Sequence, residues 1–294
     1  MGKAAFCRGA STALTACLLP HPIPYQGSKR RLAERIGVFV PAQIDTWFEP
    51  FAGSAAMTLW VARHRAVRRI VLGESLAAMA GLWHAIIQSP EATGARYRDI
   101  WCEQSRRGGD YFDDVRARFN ASGDPVDLLY LLCRCVKNAV RFNREGAFTQ
   151  SVDRRRLGVR PDRMAAAISG ASALLRGRTE IRAADWLETL GEAAPADFAY
   201  LDPPYLGVSE GRDRRYAQPM PRARLIGGLA GLHERKLRFL LSYDGRTGEQ
   251  QFGETLPDGL GLARVELRAG RSTQATLHGR VVETVESLYI HGCP

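Results

Sequence analysis

Asp202, Pro203, Pro204 and Tyr205 follow directly on an apolar run, Phe198-Ala199-Tyr200-Leu201. Within four positions they offer an acceptor carboxylate, an acceptor carbonyl and a flat ring. That set suits a planar group bearing an NH2. A Pro-Pro turn after a strand reads the same way, so the rest of the chain has to arbitrate. Proline has no N–H for a sheet ladder, so the strand must stop at Asp202. The carboxylate then stands at the carboxyl edge of a sheet, where open α/β sheets bind their ligands.

A second set lies upstream. Thr46 to Phe51, with Glu49 and Pro50 inside it, reads as a strand. Ala52, Gly53, Ser54, Ala55 and Ala56 form a small-residue turn, and a helix continues from Met57. Small residues let backbone approach a ligand and present free N–H groups. Arg69 to Leu72 forms the next strand and closes on Gly73 and Glu74. An acid about 20 residues past the glycine turn, at the tip of the second strand, is placed to accept ribose hydroxyls. An exposed strand-end glutamate is the plainer alternative. Only one glycine of a G-x-G-x-x-G pattern is present, which argues against a dinucleotide pyrophosphate cradle.

Further upstream, Tyr25-Gln26-Gly27-Ser28-Lys29-Arg30 is a glycine turn with two cations. Leu32, Ile36, Phe39 and Val40 follow at helical spacing, Pro41 ends the helix and Ser28 is placed to cap it. A cation there can hold a carboxylate or phosphate, or simply be solvated.

These sets need a βαβ framework, and residues 90–165 interrupt its rhythm. Val126 to Phe142 has the pattern of an amphipathic helix. It runs into Arg141, Phe142, Asn143, Arg144, Gly146, Phe148 and Gln150, then Asp153, Arg154, Arg155, Arg156 and Arg160. Arginines interleaved with aromatics and amides suit phosphates and base edges, though a solvated basic loop has the same composition. The region reads as an inserted helical recognition domain. The sheet resumes at Glu180 to Ala183, with Asp185 at its tip. After Tyr205 comes a basic loop with Arg212 and Arg214, a helix from Leu225 to Leu232, and a buried strand from Phe239 to Tyr243. Two late strands, Ala263 to Leu267 and Val281 to Ile290, flank Arg268, Arg271, His278 and Arg280.

Composition is consistent with this. The chain has 294 residues, 45% hydrophobic and 24% charged, which is ordinary for a globular protein. A net charge of +10 favours a polyanionic partner. Of 41 basic residues only Lys3, Lys29, Lys137 and Lys236 are lysine, a bias that suits phosphate recognition but that GC-rich coding also produces. The six cysteines form no C-x-x-C pair and no metal spacing, so they read as reduced thiols with no metal. No apolar run reaches the ~18 residues of a membrane span. Residues 1–22 read as a disordered extension or a misplaced start. The stretch Ala10 to Leu19 is too short and weakly apolar for a leader, although Leu14-Thr15-Ala16-Cys17 has the look of a lipoprotein box.

In order, Tyr25-Gln26-Gly27-Ser28-Lys29, Glu49-Pro50-Phe51-Ala52-Gly53-Ser54, Asn143-Arg144-x-Gly146-x-Phe148 and Asp202-Pro203-Pro204-Tyr205 resemble the Dam-type DNA N6-adenine methyltransferases. The resemblance covers roughly residues 22–290. It implies an α/β fold, a Rossmann-like class I methyltransferase sheet of seven strands with the last antiparallel. A mainly helical target-recognition domain (90–165) would be inserted into a catalytic domain made of 23–89 and 166–294. It implies S-adenosylmethionine as methyl donor and a flipped adenine in double-stranded DNA as acceptor. Asp202, Pro203, Pro204 and Tyr205 would be catalytic. Tyr25, Gly27, Lys29 and the Glu49-to-Ser54 turn would hold the methionine part, Glu74 the ribose and Asp185 the cofactor's adenine. Arg141, Asn143, Arg144, Arg154, Arg155, Arg156, Arg212, Arg214 and Arg271 would meet DNA. Ala55 stands where many members have a second glycine, and Glu74 where many have aspartate. The tetrad alone is shared by enzymes acting on N4 of cytosine, on RNA and on protein amides; an inactive DNA-binding protein on the same fold is a further alternative, against which the intact Asp202 to Tyr205 stretch argues. No cysteine follows a proline, so cytosine-C5 chemistry has no nucleophile here. A cytoplasmic enzyme is expected, monomeric or weakly dimeric, with or without a cognate restriction endonuclease.

Overall fold

The computed structural model describes residues 19–108, 110–143, 145–204, 220–248, 250–271 and 283–292. Most of the expected N-terminal extension, Tyr205, Arg144 and the loop carrying Arg212 and Arg214 lie outside these residues. So do His278 and Arg280.

The strands are β1 (Gln43–Glu49), β2 (Ala66–Gly73), β3 (Thr179–Arg182), β4 (Phe198–Leu201), β5 (Arg238–Thr247), β6 (Gln250–Phe252), β7 (Ala263–Arg271) and β8 (Glu283–His291). They form one sheet in the order β3-β2-β1-β4-β5-β8-β7, with the short β6 folded back on β5. β1, β2, β3, β4 and β5 pair in parallel, and β8 runs antiparallel to both β5 and β7. This is the strand arrangement that the resemblance implies, with its last strand antiparallel and the short β6 added. The order reverses between β1 and β4, so connections leave these two strands in opposite directions and open a crevice beyond their carboxyl ends.

The central strands are buried on both faces, which is why they read as near-continuous apolar runs. Alternate residues go to opposite layers. Trp47, Ile70, Phe198, Tyr200 and Leu240 join the core on one side. Phe48, Val71, Ala199, Leu201 and Leu241 join the core on the other. Trp47 stacks on Phe198 and Tyr200 at 5.9 and 6.4 Å, an aromatic column across β1 and β4.

Helices α1 (Ala33–Gly37), α2 (Ala56–His64), α3 (Ala77–Gln88) and α7 (Pro161–Leu175) cover the first face. The same core continues without a break into α4 (Pro90–Arg107), α5 (Tyr111–Ser122) and α6 (Pro125–Arg134). On the second face lie α8 (Trp186–Thr189) and α9 (Arg222–Glu234). Residues 19–22 run over α7, where a Cβ on Gly170 would come within 3.0 Å of Pro20.

Two helices differ from their sequence patterns. The helix expected to run from Val126 to Phe142 stops at Arg134. Cys135 turns extended, and Lys137 and Asn138 take left-handed φ of 61° and 52°. Every α6 residue from Val126 to Arg134 is buried, so α6 is the centre of the helical region and has no solvent face. Its start is fixed by Asp124, whose carboxylate accepts from the Val126 and Asp127 amides at 2.8 and 3.0 Å. The helix expected after Ser28 splits into a 3-10 turn, Lys29–Arg31, and the short α1. Ser28 does not cap it; its hydroxyl accepts from Ser54 instead, at 2.7 Å.

Candidate functional site

A cavity of about 420 Å³ opens at the carboxyl ends of β1, β2 and β4. That volume suits an organic ligand of cofactor size. Seven chain segments build its walls, and an eighth enters from the helical region.

β1 supplies Glu49 and the turn after it. Ala52 N donates to Gly73 O at 2.9 Å, tying the turn to β2. Gly53 has φ +46°, and a Cβ there would stand 3.3 Å from the Tyr25 ring, so glycine answers both the backbone and the packing. Ala55, where a glycine was the expected alternative, is fully buried in a left-handed conformation at φ 46°. Alanine is held there at a cost of roughly 1–2 kcal/mol relative to glycine. Glu49 Oε2 accepts from Thr58 N at 2.7 Å and Thr58 Oγ1 at 2.5 Å, which seats the carboxyl on the N-terminus of α2. Burial pushes Glu49 up to about 8, the Thr58 bonds oppose this, and the Asp202 charge adds to it.

β2 ends at Glu74. One of its oxygens accepts from Gly53 N at 3.1 Å and the other from Leu76 N at 3.3 Å. Burial raises this carboxyl, and the backbone donors partly offset the rise. After β3, Asp185 caps α8 by accepting from Leu187 N at 3.1 Å, and Arg224 of α9 pairs with it at 2.8 Å. Phe51 and Trp186 stack at 5.8 Å on the cavity wall.

β4 delivers Asp202, Pro203 and Pro204 to the opposite wall. Lys29, buried to 5% exposure, places Nζ 2.9 Å from Asp202 Oδ1 and 3.5 Å from Glu286 Oε2 on β8. The cation expected beside the cofactor's methionine part thus faces the Asp202 carboxylate. Gly27, whose carbonyl accepts from Lys29 at 3.3 Å, completes this corner.

The helical region reaches the same cavity through Ala139, Val140 and Phe142. Gln26 N donates to Asn138 O at 3.0 Å and stitches the two parts together. Asn143, Gly146 and Phe148 form a hairpin. Asn143 Oδ1 accepts from Ala147 N at 2.8 Å, Gly146 takes φ +80°, and Phe142 and Phe148 pair beneath at 5.7 Å. The described part of the motif is turn chemistry; Arg144 lies outside the described residues. Arg141 is half-buried between two cavity-lining residues. Arg154 is exposed. Arg155 and Arg156 both bind Asp153, at 2.9 and 3.0 Å, and hold its carboxyl well below the usual range. Arg156 also donates to Cys135 O at 3.1 Å, so it fixes the loop. Arg271 closes β7, and its side chain is not among those described.

Every described residue expected at the cofactor turn, at Glu74, at Asp185 and at Asp202 to Pro204 lines one cavity. Sequence reasoning missed Glu286, Arg224, Trp186 and the wall from Ala139 to Phe142. Trp186 could have been found as the aromatic next to Asp185. Glu286 and Arg224 carried no local signal. Among the described residues no group of three His, Cys, Asp or Glu side chains is set to hold a metal, and no helix is long and apolar enough to cross a membrane.

No curated protein matches the chain significantly. A family model, D12 class N6 adenine-specific DNA methyltransferase, matches residues 25–266. The match starts at Tyr25 on the cavity wall, passes through the helical region and the Asp202 strand, and ends within β7. The chain therefore belongs to the D12 class N6 adenine-specific DNA methyltransferases, enzymes that methylate adenine in DNA.

Proposed function

We propose that this enzyme transfers the methyl group of S-adenosylmethionine to N6 of an adenine turned out of double-stranded DNA. The observation that carries the reading is that one cavity joins a nucleoside-type wall, Glu74 and the Gly53 turn, to the acceptor wall at Asp202 and Pro203. The residues fit the cofactor chemically. Glu74 presents a carboxylate for the ribose, Phe51 and Trp186 an aromatic wall with Asp185 beside it for the adenine, and Glu49 a buried carboxyl for the ammonium. A cation beside Glu49 would favour its ionised form against the burial that raises it. Bound there, S-adenosylmethionine supplies an electrophilic methyl sulfonium.

The chain's own residues do the rest. Adenine N6 is a poor nucleophile because its lone pair is delocalised into the ring. Asp202 and the Pro203 carbonyl accept its two N–H groups, which favours a tetrahedral nitrogen with its lone pair localised and aimed. This is alignment and electrostatic preorganisation. Asp202 receives the proton that N6 sheds. Tyr205 stacks on the base, and turning the base out costs roughly a few kcal/mol. Residues 90–165 serve as the recognition unit, with Arg144, Arg154, Arg212, Arg214 and Arg271 as contacts to phosphates or bases. The wider reading is site-specific marking of DNA in the cytoplasm, by a monomer or weak dimer, with or without a partner restriction endonuclease.

The test is transfer of labelled methyl from S-adenosylmethionine to unmethylated duplex DNA, with nucleoside mass spectrometry and an Asp202→Ala control. N6-methyladenine that disappears in the control supports the reading. N4-methylcytosine, or label only in RNA or protein, would overturn the acceptor.

A further inference from the structure

Glu286 is a carboxylate inside the cavity that the mechanism above does not use. It comes from β8, the strand inserted antiparallel between β5 and β7. Its placement depends on an irregularity. The β5–β8 register shifts between Ser242 and Gly245, and Gly245 then pairs with Glu286. A Cβ at 245 would meet Val285 O at 2.5 Å and Glu286 Cα at 3.3 Å, so glycine lets β8 close in at this point. Bulges of this kind re-aim a side chain near active sites. Thr284, two residues before Glu286 and so on the same face, also lines the cavity.

Glu286 Oε2 is buried and accepts no hydrogen bond, yet it stands 3.5 Å from the Lys29 ammonium. Lys29 is 2.9 Å from Asp202. The described ionisable groups around this point are Lys29 before α1, Glu49 on β1, Tyr200 on β4 with Asp202 just beyond it, and Glu286 on β8. Tyr200 is buried, bonded to Ser242 Oγ at 2.7 Å, and burial with the Asp202 charge pushes its phenol well above its ordinary value. It therefore stays neutral. Lys29 thus lies between two carboxylates, one of which the reaction would neutralise.

We propose that Glu286 is a positioning residue that gives Lys29 a second seat. Before reaction Lys29 sits on Asp202 and keeps it ionised as an acceptor. Methylation of N6 would form an N–CH3 bond as the sulfonium's S–CH3 bond breaks and a neutral thioether leaves; the N–H bond then breaks and an O–H bond forms on Asp202, with no change of oxidation state. Lys29 would then face a neutral acid in a buried site, where an unpaired charge is costly. Glu286 takes over the ion pair, so the proton can stay on Asp202 until product leaves. Glu286 also places a second negative charge near Asp202, which makes Asp202 a better proton acceptor.

This rests on the proposed role of Asp202, and the two can fail separately. The experiment is single-turnover methyl transfer into duplex DNA across pH for wild type, Glu286→Gln and Glu286→Asp, with calorimetric cofactor binding and melting curves for each. In Glu286→Gln the rate near neutral pH should fall roughly tenfold. Its acid limb should move to lower pH by about half a unit, because removing a neighbouring negative charge favours ionised Asp202. Cofactor affinity should change far less than the rate, the melting temperature should stay at the wild-type value, and Glu286→Asp should return the limb toward wild type. A Glu286→Gln rate and limb matching wild type would overturn the proposal. So would a rate loss that follows a lowered melting temperature while the limb stays in place. Wild-type enzyme that makes no N6-methyladenine would overturn the reading of Asp202 instead.

Discussion

The cavity and the basic loop after α6 handle charge in opposite ways. Five described carboxyls line the cavity (Glu49, Glu74, Asp185, Asp202 and Glu286) against two cations, Lys29 and Arg224. The excess of acids leaves acceptor capacity for a ligand that brings positive charge and N–H groups. In the loop, Arg156 is held by Asp153 and by Cys135 O, whereas Arg155 and Arg160 make surface pairs with Asp153 and Asp162 and stay largely exposed. In the helices beside it, Arg118 makes a two-pronged contact with buried Asp127, at 2.5 and 2.6 Å. A high arginine count therefore overstates the cations available to DNA, because several of them hold the protein together.

The sharpest way to break this contrast is at Asp202. Asp202→Ala should lower methyl transfer by on the order of a thousandfold while cofactor binding by calorimetry survives. Equal loss of both would mean that Asp202 belongs to the cofactor's site. Next in size is Glu74→Ala, which removes the acceptor at the β2 tip and frees the Gly53 amide. Cofactor affinity should fall by roughly ten- to a hundredfold, as for loss of hydrogen bonds to a charged group. Unchanged affinity would remove Glu74 from the nucleoside wall.

The loop arginines give a smaller, paired test. Arg154→Ala should weaken DNA binding a few-fold and lower the salt slope by about 1. Arg156→Ala, which removes the contacts to Asp153 and Cys135 O, should lower stability by about 1 kcal/mol in a denaturant titration. A salt slope that changes in Arg156→Ala as much as in Arg154→Ala would show that Asp153 yields its partner to DNA.

The last test concerns Glu49 and its dependence on pH. Its folded value, about 8, lies above the 4.5 of an ordinary glutamate, so the folded protein holds the extra proton between those two values. Stability from this group is complete below 4.5 and declines as pH rises toward 8. Without cofactor, the melting temperature of wild type relative to Glu49→Gln should fall across that window. A flat difference would mean that Glu49 is ionised in the empty cavity.

Much of the site was legible because its chemistry is local. Gly53 is needed where the chain turns and Tyr25 closes in, and Asp202 stands where two prolines end a strand. Asn143 was read as a DNA contact, and its role with Gly146 as a hairpin scaffold showed only once Phe142 and Phe148 were seen paired beneath it. The end of α6 was not legible. Lys137 and Asn138 are ordinary in a helical pattern, and their left-handed turn goes with the bond from Gln26 to Asn138 O and the grip of Arg156.

By itself, then, the sequence determined the main strands from β1 to β8 and the helices that follow β1 and precede β5, together with the residues that can accept from a nucleoside and an amino group. Periodicity, turn chemistry and side-chain type act over a few residues, and a single chain displays them. Which of those groups share a cavity, which arginines are spent on Asp153 and Asp127, and that Glu286 stands beside Lys29 were decided by the tertiary structure. An antiparallel strand entering between β5 and β7, and a glycine that lets it approach, join residues far apart in the chain, and no local pattern encodes that meeting.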